Sequence, residues 1–147
     1  MDNQKLDTLV NNIIILFMER HNLKINDIDT AKTLISDIII DFNRNCFSEN
    51  FFWDYLLIFL QKINPNFSMY DKNGEDDTSI INYIEFLIVF LIILAKYLED
   101  KFFLNRNFSY YYSIPIKRIN NLEIFILKNI NWDLSIKNQD KLSNVNV

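Results

Sequence analysis

Apolar residues recur along this chain at the three-and-four spacing of helix faces. Leu6, Leu9, Val10, Ile13, Ile14 and Phe17 form the first such stripe. Asp2, Asn3 and Lys5 precede it, so the pattern predicts an amphipathic helix over Leu6 to Arg20, ending near His21. A polar break follows, from Asn22 to Asp29. Leu34, Ile35, Ile38, Ile39 and Phe42 give the second stripe, with Asp29 or Thr30 as its cap and Asn43, Arg44 and Asn45 as its end. A third helix is predicted from Ser48 to Ile63. It carries Phe51, Phe52, Trp53, Tyr55 and Phe59 and stops before Pro65, whose ring cannot continue it. Asn66 to Asp77 is polar and holds the one glycine, Gly74; it reads as a loop and as the segment expected to be most flexible.

The fourth element is different in kind. Thr78 or Ser79 caps a helix that runs to about Asp100, and between Phe86 and Ala95 it is apolar on every side. Such a helix lies in a protein core or crosses a membrane. Asn82, Glu85 and Lys96 shorten the apolar run well below the roughly 20 residues a bilayer needs. The prediction is therefore a central helix of a soluble bundle, wrapped by the others. Phe102 to Tyr112 is aromatic and irregular, with a short helix around Phe108 to Tyr112. Pro115 stands where the first turn of a last helix would place it, and Ile119, Leu122, Ile126, Leu127 and Ile130 supply the buried stripe of that helix. From Lys137 to Val147 the chain is polar and reads as a disordered tail.

Composition sharpens the class. The chain has 147 residues, half of them hydrophobic and 15% aromatic, enough for one domain with a real core. One glycine and two prolines leave few positions for sharp turns or left-handed backbone. A β-sandwich or a dinucleotide-binding domain needs many more glycines, so the expected class is all-α. A net charge of −4 with no basic stripe argues against nucleic-acid binding. Cys46 is the single cysteine and has no internal disulfide partner, which fits a reducing, intracellular compartment, nuclear or cytoplasmic. The start, Met1-Asp2-Asn3-Gln4, is not basic enough for a signal peptide.

Catalytic patterns are not evident. One glycine excludes a glycine-rich phosphate loop. One histidine and one cysteine exclude a Cys/His zinc site. His21, beside Glu19 and Arg20, reads as an exposed helix-end residue. Glu75, Asp76 and Asp77 lack the spacing of a calcium loop and read as a solvated acidic turn. Tyr110, Tyr111 and Tyr112 read as a partly buried connector whose hydroxyls reach water. No enzyme, metal or cofactor is expected, and the sequence points to a binding or regulatory role.

One run of positions has a recognisable order. Lys96, Leu98 and Asp100 are followed by Asn105 and Phe108, then by Ile119, Asn120, Leu122 and Glu123. Phe125, Leu127, Trp132 and Leu134 complete an apolar closing phrase. This order and spacing resembles the core of a cyclin box, in the form found in short P/U-type cyclins, and covers about a third of the chain. The resemblance implies a five-helix fold over residues 30–136, with an extra N-terminal helix in 1–22 and a tail in 137–147. Its five helices would be Thr30 to Phe42, Ser48 to Ile63, Thr78 to Asp100, one within Phe102 to Tyr112, and Pro115 to Asn131. Three positions depart from the family pattern. The region from Leu34 to Ile38 has no arginine, Gln61-Lys62 stands where an Asp-Arg pair is usual, and Tyr112-Ser113 replaces the usual Gly-Gly. Both members of a customary ion pair are thus missing, which is tolerable where the loss of one would strand a charge. The chain is too short for a second cyclin box.

The resemblance implies a protein partner, a cyclin-dependent protein kinase, and no nucleic acid, membrane or small-molecule cofactor. Lys96 and Glu123 would meet the kinase backbone beside its αC helix. Leu98, Glu99, Phe102 and Phe103 would supply contact around the charges. Two other readings stay open. Lys96 could simply favour a helix C-terminus, with Glu123 solvated or paired to it within the chain. Alternatively, the chain could be a Bcl-2-like bundle binding an amphipathic helix in a groove, although Asp133-Leu134 stands after Asn131-Trp132 where that family has Gly-Arg.

Overall fold

A computed structural model describes residues 2–20, 27–46, 52–62, 80–97 and 104–133. The described residues form six helices: α1 (Asn3–Arg20), α2 (Ile28–Asn45), α3 (Phe52–Lys62), α4 (Ile80–Tyr97), α5 (Asn105–Tyr112) and α6 (Ile116–Asn129). No strand occurs among them, and the class is all-α. Ser48, Pro65, the loop with Gly74, Thr78, Ser79, His21 and the 137–147 tail lie outside the described residues.

The α1 stripe packs as its spacing predicts: Leu9, Val10, Ile13, Ile14 and Phe17 are buried, with Leu6 against them. Asp2 starts the helix, its carboxylate accepting from Lys5 N at 2.7 Å. The start of α2 differs from the prediction. Its N-cap is Asp27, rather than Asp29 or Thr30. The Asp27 carboxylate accepts from both Thr30 N at 3.1 Å and the Thr30 hydroxyl at 2.6 Å, so this position satisfies an orphan amide and a side chain together. The α2 stripe is also turned slightly. Ala31 is buried and Leu34 is exposed, because the seam follows Ala31, Ile35, Ile38 and Phe42.

The Thr30 hydroxyl, and then the Thr30 amide, hold the Asp27 carboxyl below its ordinary value near 3.8. A lowered folded-state value means that the stability this group confers is complete above the ordinary value. That stability is lost as pH falls through the lowered one. Asp27→Ala should therefore lower the melting temperature modestly at neutral pH. The gap between variant and parent should close as the buffer is taken below pH 3.8. Thermal unfolding followed by circular dichroism at several pH values measures this.

Helix α4 is the centre of the molecule. Every residue from Phe86 to Ala95 is at most 4% exposed. Helices α2, α3 and α6 pack against it, α1 lies over α2 and α3, and α5 lies against α6. Aromatic contacts tie these layers. Phe90 meets Phe59 of α3 at 6.3 Å and Phe86 at 5.9 Å, while Phe17 of α1 meets Tyr83 at 5.1 Å. Such tilted pairs hold rings in fixed relative positions. No helix among the described residues is long and apolar enough to cross a membrane.

Helix α5 begins three residues before the predicted Phe108, since Asn105, Arg106 and Asn107 are polar and leave no mark on hydrophobic periodicity. It ends at Ser113, which takes the left-handed conformation at φ 57° and lets Ile114 N bond back to Ser109 O at 3.2 Å. Pro115 is the N-cap of α6 rather than a residue of its first turn, because its ψ of 134° is extended. Ile119, Leu122, Ile126, Leu127 and Ile130 are all buried. After α6, Asn131 (φ 54°) and Trp132 (φ 58°) are left-handed, held by Trp132 N to Leu127 O at 2.8 Å. The described residues, which include no glycine, thus make their left-handed turns with residues that carry a Cβ. Each such turn costs about 1–3 kcal/mol.

Candidate functional site

The end of α4 sets up the site. Ala95 is fully buried, and Lys96 is the first residue of α4 beyond the all-apolar run. On α6, Glu123 follows the buried Leu122 and sits at the edge of the seam that faces the core. Because α6 packs on α4, the two side chains meet although 27 residues separate them. Lys96 Nζ lies 2.9 Å from Glu123 Oε2 and 3.3 Å from Oε1. Their side chains are 19% and 13% exposed, so the pair is mostly covered, with a small part of each left at the surface.

Two asparagines complete the cluster. Asn105, at the start of α5, donates through Nδ2 to Glu123 Oε2 at 3.1 Å and to Asn120 Oδ1 at 2.8 Å. The Glu123 carboxylate therefore accepts from α4 and from α5 at once. Tyr97 is exposed next to Lys96, and its phenol is pushed up, first by partial burial and then by the nearby Glu123 charge. Ile124, exposed on the other helix, follows Glu123. The charge pair thus has the exposed Tyr97 and Ile124 as chain neighbours on its two helices. Among the described residues, no cluster of three or more His, Cys, Asp or Glu side chains could hold a metal.

Of the expected site residues, the structure brings Lys96 and Glu123 together. Leu98, Glu99, Phe102 and Phe103 lie outside the described residues. Asn105 and Asn120 belong to the cyclin-like pattern, but the bonds from Asn105 to Glu123 and to Asn120 have no signal in spacing. Tyr97 was identifiable only as a neighbour of Lys96. The ion pair between Arg118 of α6 and Glu85 of α4 was also missed. Glu85, a carboxylate one residue before the all-apolar run of α4, was the hint that a cation had to come from a neighbouring helix.

Two other contacts bear on the expectations. A neutral bond links the end of α2 to the start of α3: Trp53 Nε1 donates to Asn43 Oδ1 at 3.0 Å. The tyrosine run is tied down by side chains. Tyr111 and Tyr112 donate to Asp41 Oδ2 at 3.1 and 3.4 Å, and Tyr112 stacks on Phe42, which stacks on Phe108. Burial, then the Asp41 charge, pushes the Tyr112 phenol far above the ordinary tyrosine range. Tyr110 alone of the three stands fully in solvent.

Comparison of the chain with family models, curated proteins and solved structures finds no match in any of them.

Proposed function

We propose that this chain is a cyclin-type regulatory subunit, built on a single cyclin box, that binds a cyclin-dependent protein kinase and holds its αC helix in the active position. One observation carries the reading. Lys96, Asn105, Asn120 and Glu123, polar positions of the cyclin-like pattern drawn from three helices, meet in one hydrogen-bonded cluster. Phe108, Ile119 and Leu122, apolar positions of the same pattern, are buried. Those seven positions are what supports the reading; Trp132, which belongs to the same pattern, is exposed. On this reading α2 to α6 would be the five helices of the box, with the buried α4 as its third, and α1 would be the N-terminal addition.

The action would be a population shift. A kinase is active when its αC glutamate pairs with the lysine that anchors ATP. A partner that binds only the inward position of αC favours the active state by its difference in affinity for the two positions. The Lys96 ammonium can donate to carbonyls left open at a helix end, and the Glu123 carboxylate can accept from amides. Tyr97 and Ile124 would exclude water around them. No reacting group is required of this chain, which acts as a regulator and not as an enzyme.

The test is reconstitution with a panel of purified cyclin-dependent kinases. A one-to-one complex on size exclusion, with phosphorylation of a generic peptide raised at least tenfold over kinase alone, is expected for at least one member. Failure to bind any of them overturns the proposal.

A further inference from the structure

Asn105 carries two features that packing alone does not require. Its Nδ2 commits both hydrogens inside the cluster, to Asn120 and to Glu123. Its Oδ1 is buried and has no hydrogen-bond partner. The amide cannot simply be turned over, because a carboxylate only accepts and needs the nitrogen facing it. A buried acceptor without a donor is unfavourable, and an apolar side chain of similar size would avoid it. Asn105 is therefore held in an orientation that disfavours its own oxygen and favours Glu123.

We propose that Asn105 is the positioning residue of the Lys96–Glu123 site: its amide fixes the carboxylate toward α4, so that both charges meet a partner in one geometry. Lysine is a point charge on a flexible stem and by itself leaves a carboxylate free to rotate. With Lys96 on Oε1 and Oε2 and Asn105 on Oε2, Glu123 is gripped from two helices. Asn120 takes the other hydrogen of the amide and so sets the plane of Asn105. The order is then fixed before any partner arrives, which lowers what binding must arrange. The identity of the partner rests on the kinase reading, whereas the positioning is a property of the free protein.

Two measurements separate these claims. The first is a double-mutant cycle on the unbound full chain, using urea unfolding of the parent, Asn105→Ala, Lys96→Met and the double variant. Asn105 and Lys96 share only Glu123 as a bonded partner, so a purely structural asparagine predicts additive effects. Positioning predicts a coupling of at least about threefold in the folding equilibrium constant, and additivity overturns the proposal. Asn105→Leu, similar in size and unable to hydrogen-bond or carry charge, replaces alanine in the cycle if alanine prevents folding. The second measurement is titration against a kinase that the parent binds. Asn105→Ala should raise the dissociation constant about tenfold, the loss of one charge-assisted bond; an unchanged constant also overturns the proposal. If the parent binds no kinase, the proposed function fails while the cycle still decides the role of Asn105.

Discussion

The charge-swapped variant Lys96→Glu/Glu123→Lys is expected to fold like the parent and, on the proposed function, to lose kinase binding. In the parent, Lys96 Nζ sits 2.9 Å from Glu123 Oε2. Exchanging the two residues keeps opposite charges on the same two helices. The Asn105 amide can rotate to offer its oxygen to the new lysine, an adjustment open to an amide but not to a carboxylate. A pair with side chains 19% and 13% exposed thus keeps most of its internal attraction. A kinase surface that offers carbonyls to one site and amides to the other meets the wrong sign at both. Each single truncation, Lys96→Ala or Glu123→Ala, should cost about 2–5 kcal/mol of binding, since each leaves its partner charge unmatched at the interface. That is a loss of roughly thirtyfold to several thousandfold. Calorimetric titration gives the affinities, and urea unfolding confirms that the variants fold. Parent-like binding by the swapped protein would mean that the pair serves only to join α4 to α6. Normal activation by both alanine variants would remove the mechanism altogether.

Phe90→Ala should have the largest effect on stability. Phe90 is fully buried in the middle of α4, between Phe59 and Phe86. Removing a ring from a site walled on all sides loses its transfer energy and leaves a cavity, together about 3–5 kcal/mol. Domains of this kind have about 5–15 kcal/mol in all, so the variant should be marginal at physiological temperature. Ile15→Ala on α1, where the side chain is exposed, is the matched control and should change stability by no more than about 0.5 kcal/mol. Urea midpoints with a shared slope measure both. A loss below about 1 kcal/mol at Phe90 would mean that α4 does not sit at the centre of the packing.

These contrasts follow what the chain makes legible. The Phe86 to Ala95 run announces a central helix because no face of it is polar, and every residue in the run is buried. The α1 and α6 stripes are equally plain, since burial follows a period that can be read residue by residue. Local polar chemistry is harder to read. Asp27, Asp29 and Thr30 can each cap α2, and the choice falls to Asp27 because it alone gains both Thr30 bonds. Helix α5 starts on three polar residues that carry no periodic signal. The left-handed Ser113, Asn131 and Trp132 could not be anticipated, because such backbone is normally marked by glycine and here is imposed by the helix ends. At the site, the two charges were found through their spacing in a cyclin-like pattern. The grip of Asn105 on Glu123 is a tertiary fact, made when α5 folds against α6.

Trp132 is 61% exposed, yet its backbone is locked by a 2.8 Å bond to Leu127 O. With its backbone fixed, Trp132 has only its side-chain torsions left to lose on being covered, fewer than the same residue on a limp strand of polypeptide. The backbone share of that loss was met when the end of α6 closed.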